Sequence, residues 1–207
     1  MATRKKAAKR STYHHGDLQA ELVAAATALV EKHGSSGFSL REAARSVGVD
    51  AAACYRHFSN RQEVLVVIGR AGFLKLAASF SRERARAKGA PAIEQLGALA
   101  RAYVAFARRY PAEFRVMFGD SGLDSRDARL RAPELQESAY QQLEQVVHAY
   151  AQEQALRTDE FTLALSLWGV AHGIARLALD GAVRLEDAAL GSIVESAVTA
   201  LVRGWAR

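Results

Sequence analysis

Apolar residues recur along this chain at intervals of three and four, and no stretch shows the every-other-residue alternation of a half-buried strand. Leu18, Leu22, Ala25, Leu29 and Val30 share one face of a first helix, which Gly34 stops. Ser39 and Glu42 stand in S-x-x-E spacing, the capping box that opens a short second helix with Ala43, Ala44 and Val47 as its apolar face. Gly48 takes the left-handed cap that ends it, and Asp50 caps a third helix over residues 51–57. Ser59 or Asn60 then opens a long fourth helix, roughly 60–87, that runs out in the charged stretch SRERARAKG.

Further on, Ile93, Leu96, Leu99, Ala100, Tyr103, Phe106 and Ala107 keep helical spacing. Pro111 sits at the favoured first-turn position of a short helix through PAEFRVMF. GDSGLDSRDARLRA is a loop by composition; Pro133 opens a helix to about Leu156, Thr158 caps the next, and EDAALGSIVESAVTALVRG forms the last. The pattern predicts an all-α protein of about nine helices, with three short N-terminal helices, a connecting helix and a C-terminal helical bundle. The expected division is a basic disordered arm (1–15), a helix-turn-helix unit (16–60) and a C-terminal unit (61–207).

Composition adds limits. At 207 residues the chain is long enough for a sizeable core, and half of its residues are apolar. No uninterrupted run of eighteen apolar residues occurs, so no membrane span is expected. No apolar signal segment follows the charged N-terminus, and Cys54 is the single cysteine, so a disulfide within the chain is excluded and a cytoplasmic location is expected. The formal charge of +6 is uneven, because Arg4, Lys5, Lys6, Lys9 and Arg10 crowd the first ten residues without an acid. A short basic arm grips a polyanion by releasing its counterions, and an ordinary solvated tail has the same composition.

The short loop between the second and third helices is the spacing of a helix-turn-helix, whose second helix enters a DNA major groove. Ala51, Ala52 and Ala53 let the backbone approach base edges, and Ser39, Tyr55, His57 and Arg61 carry groups that reach phosphate oxygens. With so few long donors on the helix, Asp50, Arg56 or DNA shape must supply much of the selectivity.

Residues 13–65 resemble the DNA-binding domain of TetR-type transcriptional regulators, through FSLREAARSVGV, YRHF at 55–58, and Arg61 followed by QEVL. The resemblance implies that Ser39 and Arg41 open the positioning helix and that residues 50–57 form the recognition helix. It also implies that Tyr55, His57 and Arg61 contact the DNA backbone while Phe58 packs inward. Two positions depart from the family pattern. Arg61 stands where Lys is usual, and Cys54 where Pro or a branched apolar residue is common. The basic arm, with Lys5, Lys6 and Arg10, is expected to add phosphate contacts.

RAYVAFARRYPAEFRVMFG and LWGVAHGIARLAL resemble the TetR subfamily with a Trp…His-Gly signature in its regulatory domain, here Trp168, His172 and Gly173. Trp168 and His172, at i and i+4, share a helix face, and Gly173 is expected to allow close helix approach. These two side chains with Tyr103, Phe106, Phe114, Met117 and Phe118 either line an effector pocket or simply pack between helices. The resemblance implies a homodimer joined by the last two helices, for which Leu163, Leu167, Val170, Ile174, Ile193, Val194, Ala197 and Leu201 have suitable spacing. It further implies repression at a near-palindromic double-stranded operator and release by a small, largely apolar effector, with no cofactor. Activators and a non-specific DNA binder without ligand are the alternatives. An enzyme using Cys54, His57 or His172 is disfavoured because no orienting third residue accompanies them, and adjacent His14 and His15 make a poor metal site.

Overall fold

The computed structural model describes residues 15–119, 137–157 and 159–205, which hold nine helices and no strand. They are α1 (His15–His33), α2 (Leu40–Ser46), α3 (Ala51–Tyr55), α4 (Arg61–Arg86), α5 (Ala92–Arg109), α6 (Pro111–Phe118), α7 (Ala139–Glu153), α8 (Glu160–Leu179) and α9 (Asp187–Trp205).

Local chemistry sets most boundaries. Ser39 Oγ accepts from the Glu42 amide at 3.2 Å while Glu42 Oε2 accepts from the Ser39 amide at 2.8 Å, completing the expected box. The Ser39 hydroxyl, which donates to Glu42 Oε2 at 2.9 Å, and the Ser39 amide hold the Glu42 carboxyl below its ordinary range, with His33 and Arg45 adding to the effect. Asn60 caps α4 by accepting from the Glu63 amide at 3.1 Å. α3 is shorter than its expected span: it ends at Tyr55, and the His57 and Phe58 amides close its last turn on the Cys54 carbonyl at 3.0 Å. α7 starts at Ala139 under a Ser138–Gln141 capping box, and Asp159 caps α8 by accepting from Phe161 N at 3.2 Å. Pro133 and Thr158, the expected openers of these helices, lie outside the described residues.

Two apolar cores result. The N-terminal one joins Leu22, Ala26 and Val30 of α1 to Phe38, Leu40, Ala43, Ala44, Cys54 and Phe58, and is closed by Val64, Leu65 and Ile68 of α4. The second gathers α5, α7, α8 and α9 with the later part of α4, and α5 lies at its centre, packed on all four neighbours. α6 belongs to both. Ala112 and Val116 are buried in the N-terminal core, whereas Phe114 and Met117 are buried in the second.

Seams between helices are tight. A Cβ on Gly72 of α4 would overlap the Met117 sulfur of α6, and Lys75 pairs with the buried Glu113 beside them. The Lys75 ammonium also sits 4.4 Å from the Tyr110 ring centroid. α4 and α8 are each long and apolar enough to cross a membrane by length and composition. The absence of a continuous apolar run did not anticipate this, since α4 reaches that average around Arg70 and Lys75. Both helices are packed within the array, α4 on α5, α6 and α7, and α8 on α5, α7 and α9.

Candidate functional site

The helix-turn-helix is α2, a turn through Gly48 at φ 74°, and α3. Asp50 Oδ1 accepts from the Ala52 amide at 2.8 Å, which fixes the start of α3 and leaves its first turn on the surface. Arg41, Asp50, Ala52, Tyr55 and Arg56 are exposed, and Ser39, Ala51 and His57 are half-buried on the same unit. Tyr55 is 49% exposed, a large solvent share for an aromatic ring on a five-residue helix. Lys5, Lys6 and Arg10 lie outside the described residues.

Two expected contact residues do other work. Ala53 is buried in the N-terminal core, because α3 packs on α2 and its third residue turns into that core rather than to solvent. Arg61 donates from Nη1 to the Ser35 carbonyl at 2.6 Å and lies 5.8 Å from the Phe38 ring centroid, so it ties the start of α4 to the α1–α2 loop. No spacing in the sequence signals that contact, which joins residues 26 positions apart. Cys54 is fully buried, and burial pushes its thiol pKa up, away from the reactive thiolate.

The second site is a cavity of about 200 Å³ between α4, α5, α7, α8 and α9. Of the expected pocket residues, Tyr103, Phe118 and Trp168 line it. Met117 and His172 instead line an adjoining, more open vestibule that shares Phe118 and Trp168 with the cavity. Phe106 and Phe114 line neither and are packed in the core. Sequence spacing missed the contributions of α4 (Phe73, Leu76, Phe80) and α7 (Tyr140, Leu143), which are distant in the chain and meet only in the fold.

Tyr103 is the polar centre of this region. Its hydroxyl accepts from Trp168 Nε1 at 3.1 Å and is 2.9 Å from His172 Nδ1. Because indole can only donate, the Tyr103 proton is free to go to His172, which fits a neutral imidazole. Burial lowers the His172 pKa, and Arg176 lowers it further. Burial raises that of Tyr103, against the opposing Trp168 hydrogen bond. The Phe114 ring stacks on His172 with centroids 5.3 Å apart.

A third surface runs along α8, where Phe161, Leu165, Gly169, Gly173 and Leu177 are exposed at four-residue spacing, next to exposed Ile193 on α9. Among the expected interface residues, Ile193 is exposed and Val170, Ile174, Ala197 and Leu201 are half-buried. Leu163, Leu167 and Val194 are buried in the chain's own core, so they are unavailable to a second chain. Within the chain Gly173 seats no neighbouring helix among the described residues, since a Cβ there would meet nothing within 4 Å.

Residues 22–68 match the family described as bacterial regulatory proteins, tetR family, and residues 96–201 match the tetracyclin repressor-like C-terminal domain. The HTH-type transcriptional regulator Rv1816 of Mycobacterium tuberculosis is 29% identical over 102 residues, which span 49% of this chain and 44% of that relative. The chain therefore aligns with less than half of that regulator's length. A protein of unknown function from Rhodococcus sp. RHA1 is 31% identical, with a TM-score of 0.74, over 96% of this chain and all of the other. AibR, solved with isovaleryl coenzyme A and operator DNA, shares the fold at a TM-score of 0.67 and 19% identity, over 88% of this chain and 98% of its own. With one match on the helix-turn-helix and the other over half the chain around the cavity, this protein belongs to the TetR family of transcriptional regulators.

Proposed function

We propose that the protein is a homodimeric repressor that occupies a near-palindromic operator and lets go when a small, largely apolar effector enters the cavity. The observation that carries this reading is α6. It buries Ala112 and Val116 in the core that supports the helix-turn-helix, and at its other end Phe118 lines the cavity. A ligand that moves Phe118 moves a rigid helix whose far face is part of the DNA-binding unit. Such a shift changes operator affinity only by as much as the ligand prefers one state over the other.

In this scheme the α8 stripe and Ile193 join two chains, and the two copies of α3 enter successive major grooves roughly 34 Å apart. Arg41, Tyr55, Arg56, His57 and the basic arm around Lys5, Lys6 and Arg10 hold phosphates, while Ala51, Ala52 and Asp50 meet base edges. Arg61 acts on DNA chiefly by fixing the start of α4. Residues 16–60 serve as the DNA-binding unit and 61–207 as the ligand-binding and dimerisation unit, working in the cytoplasm. The Trp168–His172–Gly173 signature supports placement in the Trp…His-Gly subfamily, and the effector-bound and operator-bound AibR supports ligand control in this fold.

Duplexes selected by the purified protein from a random pool supply the test. In anisotropy titrations the selected sequences should bind about 10³-fold tighter than scrambled ones. Equal affinity for both would make the protein a non-specific binder and end the operator reading.

A further inference from the structure

We infer that the cavity takes an uncharged aromatic molecule carrying one hydrogen-bonding group, which pairs with the hydroxyl of Tyr140. This rests on the cavity being the effector site and narrows the chemistry of what enters it.

The described walls carry no charge. None of the described residues lining the cavity is acidic, basic or histidine. A carboxylate or phosphate enclosed there would lose its water and meet no positive charge, a cost that one neutral hydroxyl and contact with the walls do not offset. The polar atoms that are present are mostly engaged. Tyr103 Oη accepts from Trp168 and bonds to His172, so its donor and acceptor capacity is already used. Ser138 Oγ is committed to the cap of α7, where it accepts from the Gln141 amide at 3.2 Å and keeps only its own proton to donate.

Tyr140 differs from both in having no partner at all among the described residues. Its hydroxyl is buried, and native proteins rarely leave such a group unpaired. Its ring lies against Trp168, with centroids 5.0 Å apart. Phe73, Phe80, Tyr103, Phe118 and Trp168 complete a wall that suits edge and face contacts with a flat ring. The cavity thus offers large apolar contact and one unsatisfied hydroxyl.

Three matched probes separate the possibilities: naphthalene, 2-naphthol and 2-naphthoate, titrated by calorimetry into the full-length protein at neutral pH. 2-Naphthol should bind tightest, and 2-naphthoate should show no saturable binding where 2-naphthol saturates. Tyr140→Phe should bring 2-naphthol down to the affinity of naphthalene, a loss of about tenfold. That variant removes an unpartnered hydroxyl, so without ligand it should melt no lower than the parent, and the comparison of naphthol with naphthoate needs no variant at all. Binding of 2-naphthoate as tight as that of 2-naphthol, binding by none of the three, or an unchanged naphthol-to-naphthalene ratio in Tyr140→Phe would overturn the inference. Operator release is read in parallel: binding in the expected order without release keeps the ligand chemistry and overturns the repressor reading instead.

Discussion

Tyr103, Trp168 and His172 form a chain of hydrogen bonds that works in one protonation state. With His172 neutral, Trp168 donates to Tyr103 and Tyr103 donates onward to Nδ1. A protonated imidazole would direct a second donor at the same hydroxyl and strand the Tyr103 proton. Burial and Arg176 likewise disfavour the charged form, so the folded His172 pKa lies below its ordinary 6.5. The unfolded chain then binds more protons as the pH falls through that value, and this contribution to stability is present above it and lost below. Urea midpoints measured from about pH 7.5 to about pH 5.5 should fall with acid. In His172→Gln, whose amide keeps an acceptor for Tyr103, that fall should be shallower. An identical acid slope in both proteins would show that His172 does not carry the linkage.

Among the elements, α4 and α6 meet tightly at Gly72, where a Cβ would run into Met117. Gly72→Ala should therefore push the two helices apart despite alanine's better helix propensity, costing about 1–3 kcal/mol in chemical denaturation. A neutral or stabilising result would mean that Met117 repacks freely. Some of this architecture was legible in the sequence. The helix-turn-helix was, because its caps and glycines are local: Ser39 with Glu42, Gly48 and Asp50 each act within a few residues. The phase of α8 was not, because Leu163 and Leu167 on one face and Phe161 and Leu165 on the other are all apolar, and spacing alone does not say which face turns inward. Ala53 failed for the same reason, since three consecutive alanines carry no polarity to distinguish inside from outside. The cavity was half legible: its α5 and α8 walls follow from helical spacing, but Tyr140 and the α4 aromatics arrive by tertiary contact.

For the whole molecule, the proposed dimer rests on the exposed stripe on α8. Phe161, Leu165 and Leu177 are each at least half exposed, a concentration of large apolar side chains that an isolated chain would leave to water. Light scattering at micromolar concentration should give a dimer for the parent protein and a monomer for Leu165→Asp combined with Leu177→Asp. A dimer that survives both substitutions would move the interface elsewhere.

The double allegiance of α6 has a consequence for anyone who would treat the two halves as interchangeable cassettes. Ala112 and Val116 lie far along the chain from the helices they help to cover, yet they close the core beneath α1 and α2. A helix-turn-helix grafted from this protein onto another regulator would arrive with its underside open unless those two positions travelled with it. The exchangeable unit is therefore not a contiguous stretch of sequence but residues 18–68, which hold the N-terminal core, together with one face of a helix that starts at Pro111.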